Sequence, residues 1–530
     1  MRLLLSKKNL TRYKQIATFL LKYGFSDLVF QSDFKDTLDK EELDKPVANS
    51  KAEEFPKDLE NLGPTFIKFG QFLSMFTDFL PTAYQESLIR LQDKVEPFDF
   101  SDVETIVAND LGLTLASAYQ EFDRNPISAA SIGQVHKARL RNGTLVAVKV
   151  QRPNIRSQIL SDLEILQYIA YLLDRNTDYG QYAHFETLSE EFRKSILREL
   201  DFRLEAQNLQ ILGKNLKEYS RIRIPQPVEA YTGTQVLTME FIDGIKVSDI
   251  SSLSMNREQR IQLAEDLFQG YLKQILIDGF FHADPHPGNV LITHDQKVSL
   301  LDLGMAAQIN DDMQDSLLKI LSGISTGDGH LVVNEALKIS ETTPKFNESR
   351  FSHDVCDLIA YQQHRTASDY NMGKVALEIT KISNKNGVLI PTEVTILGKT
   401  LLNLDQVGRQ LAPEFNPNDC IQRNAVSLTQ ERLLKSFSPA SILNSLLETK
   451  ELIGKMPHRI NRILDSLANN EIEFKVDAID EKTLITGFQK IANRIMMGLI
   501  IAALIVGSAL LMQLETPFMI LGYPVIAVFF

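Results

Sequence analysis

The stretch from Phe281 to Gly304 most narrows what this chain can become. In Phe281-His282-Ala283-Asp284-Pro285-His286-Pro287-Gly288-Asn289 an acid and an amide stand five residues apart, and Asp302 follows Asn289 by thirteen, in Leu300-Leu301-Asp302-Leu303-Gly304. Between them, Val290-Leu291-Ile292 and Val298-Ser299-Leu300 read as the two strands of a hairpin. This puts three oxygen-bearing side chains at the spacing that a nucleotide and its metal ion need. Asp284 can orient or deprotonate an acceptor, while Asn289 and Asp302 can hold Mg²⁺ over phosphates. An acid and an amide also share ordinary solvated turns, so the other motifs must decide.

Lys149 ends the strand Leu145-Val146-Ala147-Val148-Lys149-Val150, just after Asn142-Gly143, the strongest short hairpin signal in the chain. A lysine there can reach phosphate oxygens as a compact cation. It needs a carboxylate to hold it, and the candidate is Glu205, at the end of Glu199-Leu200-Asp201-Phe202-Arg203-Leu204-Glu205. Ahead of the lysine lies Ser128-Ala129-Ala130-Ser131-Ile132-Gly133-Gln134-Val135-His136. Its small side chains let backbone N–H groups approach phosphates, and serine hydroxyls add donors. Alanine makes such a loop stiffer than glycine would. Leu237-Thr238-Met239-Glu240-Phe241-Ile242-Asp243-Gly244 reads as a strand entering a hinge, where backbone groups of Glu240 and Ile242 would bond an adenine edge. The whole series follows the chain order of a protein-kinase core, with ATP and Mg²⁺ as its cofactors. His282 and His286 stand four apart, but Pro285 and Pro287 prevent the helix that would align them on a metal.

At 530 residues and 44% hydrophobic, the chain can bury a large core. A net charge of −12 argues against nucleic acid as a partner. Cys356 and Cys420 lie far apart and outside any C-x-x-C pattern, which supports neither a disulfide framework nor a zinc site and suits a reducing compartment. Residues 1–26 hold Arg2, Lys7, Lys8, Arg12, Lys14 and Lys22 without an acid. This basic segment suits a transit peptide, or an interfacial or packed helix carrying Leu10, Tyr13, Ala17, Leu20 and Gly24 near helical spacing.

The other end is apolar. Ile495 to Met512 is uncharged and eighteen residues long, at the short end of what crosses a bilayer. Phe518 to Phe530 adds a second apolar stretch, as a helical hairpin or a half-inserted segment. Lys490 and Arg494 flank the first run on the side of the main body, which places that body in the cytoplasm by the positive-inside tendency. A buried helix of the soluble core is the alternative.

Five segments follow. Residues 1–57 form a basic helix and linker, 58–125 a helical extension broken at Pro64 and Pro81, and 126–245 an N-lobe. Residues 246–480 form a helical C-lobe and tail, and 490–530 an anchor. Ser161 to Leu173 and Glu186 to Leu212 read as helices, the second stopped by Gly213, and the chain reads as helical again from Asp311 to about Leu467. The fold class is α+β: a protein-kinase-like two-lobed fold with an N-terminal helical extension and a C-terminal transmembrane helical segment.

Gly63-Pro64-Thr65-Phe66-Ile67-Lys68-Phe69-Gly70-Gln71 has no counterpart in ordinary protein kinases. Combined with the Ala-rich loop, V-A-V-K, E-L-D-F-R-L-E-A, H-A-D-P-H-P-G-N and D-L-G, it makes the chain resemble the UbiB family of atypical kinases, the ADCK or AarF group, in its bacterial type with C-terminal membrane segments. The resemblance runs from about Pro64 to Asp312, and Leu401 to Pro413 resembles the family's C-terminal region. It implies that the helix bearing Lys68 and Gln71 lies across the active site in the place of a protein substrate, with Lys68 approaching Glu199 and Asp201 and with Lys149 paired to Glu205. It implies ATPase or small-molecule phosphotransfer in support of ubiquinone biosynthesis, at a bacterial inner membrane or an organelle inner membrane. The implied partners are membrane lipid, quinone intermediates and ubiquinone-biosynthesis proteins. A nucleotide-gated scaffold with negligible turnover and a protein kinase acting in trans are the alternatives. Two departures stand out. Ser74-Met75-Phe76-Thr77-Asp78 lacks the arginine common after the K-x-G-Q helix, and the catalytic loop lacks the arginine linked to activation-loop control.

Overall fold

The computed structural model describes residues 10–23, 52–74, 82–88, 91, 95–176, 185–252, 255–363, 371–417, 419–421, 423–424, 495–503, 506, 519–520 and 523–524. They belong to two units, Met1–Lys435 and Ser436–Phe530. In the first, Leu10–Lys22 (α1) buries Tyr13, Ile16, Ala17 and Leu20, three or four residues apart as one helical face requires. Of the readings open for this segment, the packed helix is the one observed. Arg12 donates to both carboxylate oxygens of Asp162, at 2.6 and 2.7 Å, and the Thr65 hydroxyl donates to the same group at 2.6 Å.

Phe55–Leu62 (α2) and Pro64–Leu73 (α3) meet at Gly63, whose φ of 93° suits glycine. Pro64 opens α3 in the first turn, where its missing N–H costs nothing. Phe66, Ile67, Phe72 and Leu73 turn one face of α3 into the core. Lys68 and Gln71, three apart, share another face. Thr82–Leu88 (α4) follows, while Pro81 and most of the expected linker lie outside the described residues.

Phe100–Leu111 (α5) leads to Tyr119–Phe122 (β1), Ser128–Ala129 (β2), Gly133–Leu140 (β3) and Leu145–Gln151 (β4), the last two joined through the expected Asn142-Gly143 turn. Next come Ile155–Asn176 (α6), Phe185–Glu199 (α7), Phe202–Asn215 (α8), Ile222–Arg223 (β5) and Val236–Glu240 (β6). The sheet runs in the order β1-β3-β4-β6, with β2 on β3. Side chains alternate along β4. Val146, Val148 and Val150 join Val103 and Val107 of α5 in one core, and Ala147 joins Phe202 and Ala206 of α8 in another. Lys149 therefore shares the α8 side with Ala147.

The helix expected across Glu186–Leu212 is two helices. At the break the Leu200 carbonyl accepts from the Gln151 amide at 3.0 Å, and the Phe202 N–H donates to the Thr234 carbonyl at 3.1 Å. With those backbone groups satisfied from the end of β4 and the bend at Thr234, Asp201 starts a new helix by accepting from the Arg203 N–H. Gly213 does not stop α8, which continues to Asn215. A Cβ at Gly213 would come within 2.4 Å of the Gln226 amide, the tip of a side chain that can shift.

The second lobe adds Gly244–Lys246 (β7), Arg257–Lys273 (α9), Phe280–His282 (β8), Val290–Thr293 (β9), Val298–Leu300 (β10) and Ala306–Gln308 (β11). These pair in the orders β5-β10-β9-β7 and β11-β8. Helices Asp311–Thr326 (α10), Gly329–Lys338 (α11), Glu348–Gln363 (α12), Met372–Lys385 (α13) and Thr392–Leu411 (α14) complete it. A two-residue strand pair, Glu341–Thr342 with Val388–Leu389, interrupts that helical series. The helix expected onward to Leu467 lies outside the described residues beyond 424.

In the Ser436–Phe530 unit, residues 495–503 are helical and expose Ile495, Met497 and Leu499. Most of the apolar run onward to Met512 lies outside the described residues. Among the described residues no helix is long and apolar enough to cross a membrane. Met519–Ile520 pairs antiparallel with Tyr523–Pro524, so the second segment contains a short strand pair where a helix was one expectation. Pro524 lacks the N–H that a helix interior uses.

Gly133 tests the sheet. A Cβ there would lie 2.6 Å from the Val150 carbonyl oxygen, a backbone atom that cannot swing away. Gly133→Ala is expected to cost about 1–3 kcal/mol, read as a lower urea midpoint. An unchanged midpoint would show that the β3–β4 pair yields without penalty.

Candidate functional site

Strand alternation aims Lys149 at α8, and one turn into that helix stands Glu205. The ammonium lies 2.8 and 3.1 Å from the two Glu205 oxygens and 3.2 Å from Asp302 Oδ1. Burial by itself would lower the lysine pKa, but Asp302 and Glu205 more than offset it and hold the ammonium above its ordinary value. Glu205 moves the other way from most paired acids. Burial pushes it up to about 7 against the pull of Lys149. The charge of Lys149, helped by Lys68, holds Asp302 well below the usual carboxylate range despite its surroundings. Asp302 therefore stays ionised while its side chain remains 48% exposed and open to a ligand.

Asn289 and Asp302 leave the same end of the β9–β10 hairpin. Val290 pairs with Leu300, and the Leu301 N–H donates to the Asn289 carbonyl at 2.8 Å. Asp302 has φ 54°, a left-handed conformation that aspartate tolerates better than most residues. Among the described residues no group of three or more His, Cys, Asp or Glu could hold a metal by itself. Asn289 with Asp302 is a two-donor set, which fits Mg²⁺ because that ion is commonly held by one or two protein groups and completed by phosphates and water.

The catalytic loop is braced from beneath. After α9 the chain makes a π-helical turn, Gln274–Asp278, and the Gln274 side chain accepts the His282 N–H at 3.1 Å. Such turns often occur at functional sites. His282 Nδ1 lies 3.3 Å from the Met305 carbonyl, so the ring braces the loop, while His286 is exposed and accepts from the Gly288 N–H.

Lys68 forms an ion pair with Glu199. Asp201, its other expected partner, is drawn elsewhere. Its carboxylate takes the Arg203 guanidinium at 2.9 and 2.6 Å and caps α8, and the hydrogen bonds to Arg203 lower its pKa. Gln71 lies one turn beyond Lys68, and its carbonyl accepts the Ser74 hydroxyl at 2.6 Å.

The Ala-rich segment is a tight, internally bonded turn. The Ala130 N–H donates to the Gly133 carbonyl at 2.8 Å, and the Ile132 carbonyl accepts the Arg152 N–H at 2.8 Å. Ala129 and Gln134 pair across β2 and β3, as do Ser128 and Val135. Ser131 and Ile132 are buried, and the Gln134 amide bonds both backbone groups of Phe98. The Gln134 side chain thus faces inward as a brace. At the hinge the Glu240 carboxylate pairs with Arg223 and its N–H donates to the Gln226 carbonyl, while Ile242 follows in the link to β7.

Sequence reasoning missed a group from α14. The Asn403 amide donates to Asp284 Oδ1 at 3.0 Å, and the Thr400 hydroxyl donates to the Ala283 carbonyl at 2.8 Å. Lys399 lies on the same helix, close enough that the charges of Asp284 and Lys68 both act on it. Asn403 falls inside the Leu401–Pro413 segment, whose likeness to the family's C-terminal region was the one available signal.

Comparison with known proteins agrees with this layout. The ABC1 atypical kinase-like domain matches residues 90–336, the UbiB helical domain 355–416, and the ABC1/UbiB kinase-like C-terminal domain 479–530. The chain is 30% identical over 432 residues to a probable protein kinase UbiB of Pseudomonas entomophila, covering 80% of this chain and 78% of that one. It is 32% identical over 395 residues to a probable protein kinase UbiB of Marinobacter nauticus, covering 73% and 71%. An uncharacterized Synechocystis protein is 30% identical over 435 residues, covering 81% and 74%. A solved Mycobacterium tuberculosis protein in complex with erythromycin overlays with a TM-score of 0.47 at 23% identity, across 67% of this chain and 90% of that one.

Two buried histidines make stability depend on pH. Burial lowers the pKa of His282, against the charges of Asp284 and Asp302, and burial likewise lowers that of His136. Below the ordinary value of 6.5 the unfolded chain takes up protons that the folded chain refuses, so the histidine contribution to stability falls as pH drops. Glu205, pushed up to about 7, acts in the opposite direction over the same range, so the test is a difference: between about pH 7.5 and 5.5 the thermal midpoint of wild type is expected to fall relative to that of His136→Gln. A slope identical in wild type and variant would remove His136 from the account.

Proposed function

We propose that this chain, which belongs to the ABC1/UbiB family of atypical kinase-like proteins, binds ATP with Mg²⁺ between its lobes. We read it as an ATPase or phosphotransferase acting on a small molecule, a lipid or a biosynthetic complex in support of ubiquinone synthesis. The observation that carries this reading is the meeting of Lys149 from β4 with Asp302 from the segment after β10, beside a loop whose Asn289 carbonyl takes the Leu301 N–H and whose Asp284 is held by Asn403. Lys149, held by Glu205, would present its ammonium to phosphate oxygens. Asn289 and Asp302 would hold Mg²⁺, which when bound neutralises charge on the phosphates. Asp284, oriented by Asn403, would position the acceptor's nucleophile or take its proton. The Ala-rich turn would cover the phosphates, and backbone groups of Glu240 and Ile242 would meet the adenine.

The Lys68–Glu199 pair supports a small acceptor over a protein substrate, because it fixes α3 beside the catalytic groups. Membrane lipid and quinone intermediates are the partners this reading favours, with ubiquinone-biosynthesis proteins as further ones. The exposed apolar helix at residues 495–503 supports attachment to a membrane, the bacterial inner membrane in this reading, with the kinase-like unit in the cytoplasm.

Asp302→Asn is expected to abolish Mg²⁺-dependent stabilisation by nucleotide in a thermal-shift assay, and unchanged stabilisation would sink the metal assignment. Steady-state ATP hydrolysis by the wild-type chain is expected to rise with anionic lipid vesicles. Nucleotide binding without turnover under either condition would favour a nucleotide-gated scaffold.

A further inference from the structure

Lys399 stands in the cleft with none of the roles above. It lies one helical turn before Asn403 on α14, so the two side chains share a face. Asn403 bonds Asp284, and the intervening Thr400 bonds the Ala283 carbonyl, which brings the ammonium to the acceptor side of the catalytic loop. It donates to the Ser74 hydroxyl at 3.3 Å, at the C-terminal end of α3. No ion pair of Lys399 is found among the described residues. Lys149 and Lys68, by contrast, each hold a carboxylate.

Burial lowers the pKa of Lys399; Asp284 raises it and Lys68 lowers it again. A half-buried ammonium that acts under the charge of a second one, with Asp284 already bonded to the Asn403 amide, is electrostatically incomplete until an anion arrives. We propose that Lys399 binds the terminal phosphoryl oxygens of the nucleotide, so that Lys149 and Lys399 reach the phosphates from the two lobes. This rests on the nucleotide reading above and goes beyond it by adding a phosphate contact from the helical lobe. A phosphate carried by an acceptor lipid offers the same oxygens, so the test must separate the two sources.

The test is calorimetric titration of the full chain with Mg²⁺ and either ADP or a non-hydrolysable ATP analogue. Wild type, Lys399→Met, Lys399→Arg and Asp302→Asn are compared. Lys399→Met is expected to weaken the triphosphate analogue about tenfold, the scale of one lost charge-assisted hydrogen bond. ADP affinity is expected to stay within about twofold, which also reports a folded site, and Lys399→Arg to recover part of the loss. Equal losses for both nucleotides, or none for either, would overturn the proposal. So would an unchanged analogue affinity combined with weakened binding to phosphatidic acid vesicles, since the contact would then belong to a lipid headgroup. Failure of wild type to bind either nucleotide would overturn the nucleotide reading itself and this assignment with it, and an Asp302→Asn variant that binds both as wild type does would overturn the Mg²⁺ assignment on which that reading rests.

Discussion

The cleft depends on the buried ammonium of Lys149. Taking such a charge out of water is costly unless carboxylates meet it closely, and here Glu205 and Asp302 do so from different parts of the fold. Glu205 belongs to α8 under the sheet, and Asp302 to the segment after β10. One cation therefore ties the N-terminal sheet, its covering helix and the lower lobe. Each partner has its own local cause: the two-residue period of β4 for Lys149, the fresh helix start at Asp201 for Glu205, and a left-handed backbone for Asp302.

A second layer of support acts on the catalytic loop. The π-helical turn lets Gln274 reach the His282 N–H, and Gln314 of α10 donates to the Ile275 carbonyl within that turn at 3.0 Å. From the other side α14 fixes Ala283 and Asp284 through Thr400 and Asn403. The loop is thus bonded from the π-helical turn and from α14, with α10 bracing the turn, which suits groups that must keep their geometry while charge builds up near them. The N-terminal helices are tied in by buried polar contacts as well. Asp162 collects Arg12 and Thr65, and α3 follows with Lys68 facing Glu199.

Much of this was legible before folding. Asp284, Asn289 and Asp302 announce themselves by residue type and spacing, because they sit on one loop and across one hairpin, and Lys149 by its place on the strand after the Asn142-Gly143 turn. Glu205 was the right acid among several for Lys149, whereas Asp201, expected beside Lys68, instead caps a helix. That break was hidden because the groups satisfying it, Gln151 at the end of β4 and Thr234 just before β6, lie far away in sequence. Asn403 was hidden for the same reason: it meets Asp284 across 119 residues of chain.

By itself the sequence determined the elements and the chemical inventory: the alternation of β4, the Asn142-Gly143 turn, the apolar face of α1 and the set of acids and lysines. These follow from backbone periodicity and local sterics, which act over a few residues. Only the tertiary structure decided which acid meets which lysine, where the helix break falls at Leu200-Asp201, and that α14 delivers Lys399 and Asn403 to the catalytic loop. Such pairings are settled by the desolvation of charges, and that cost exists only once distant segments have closed around them.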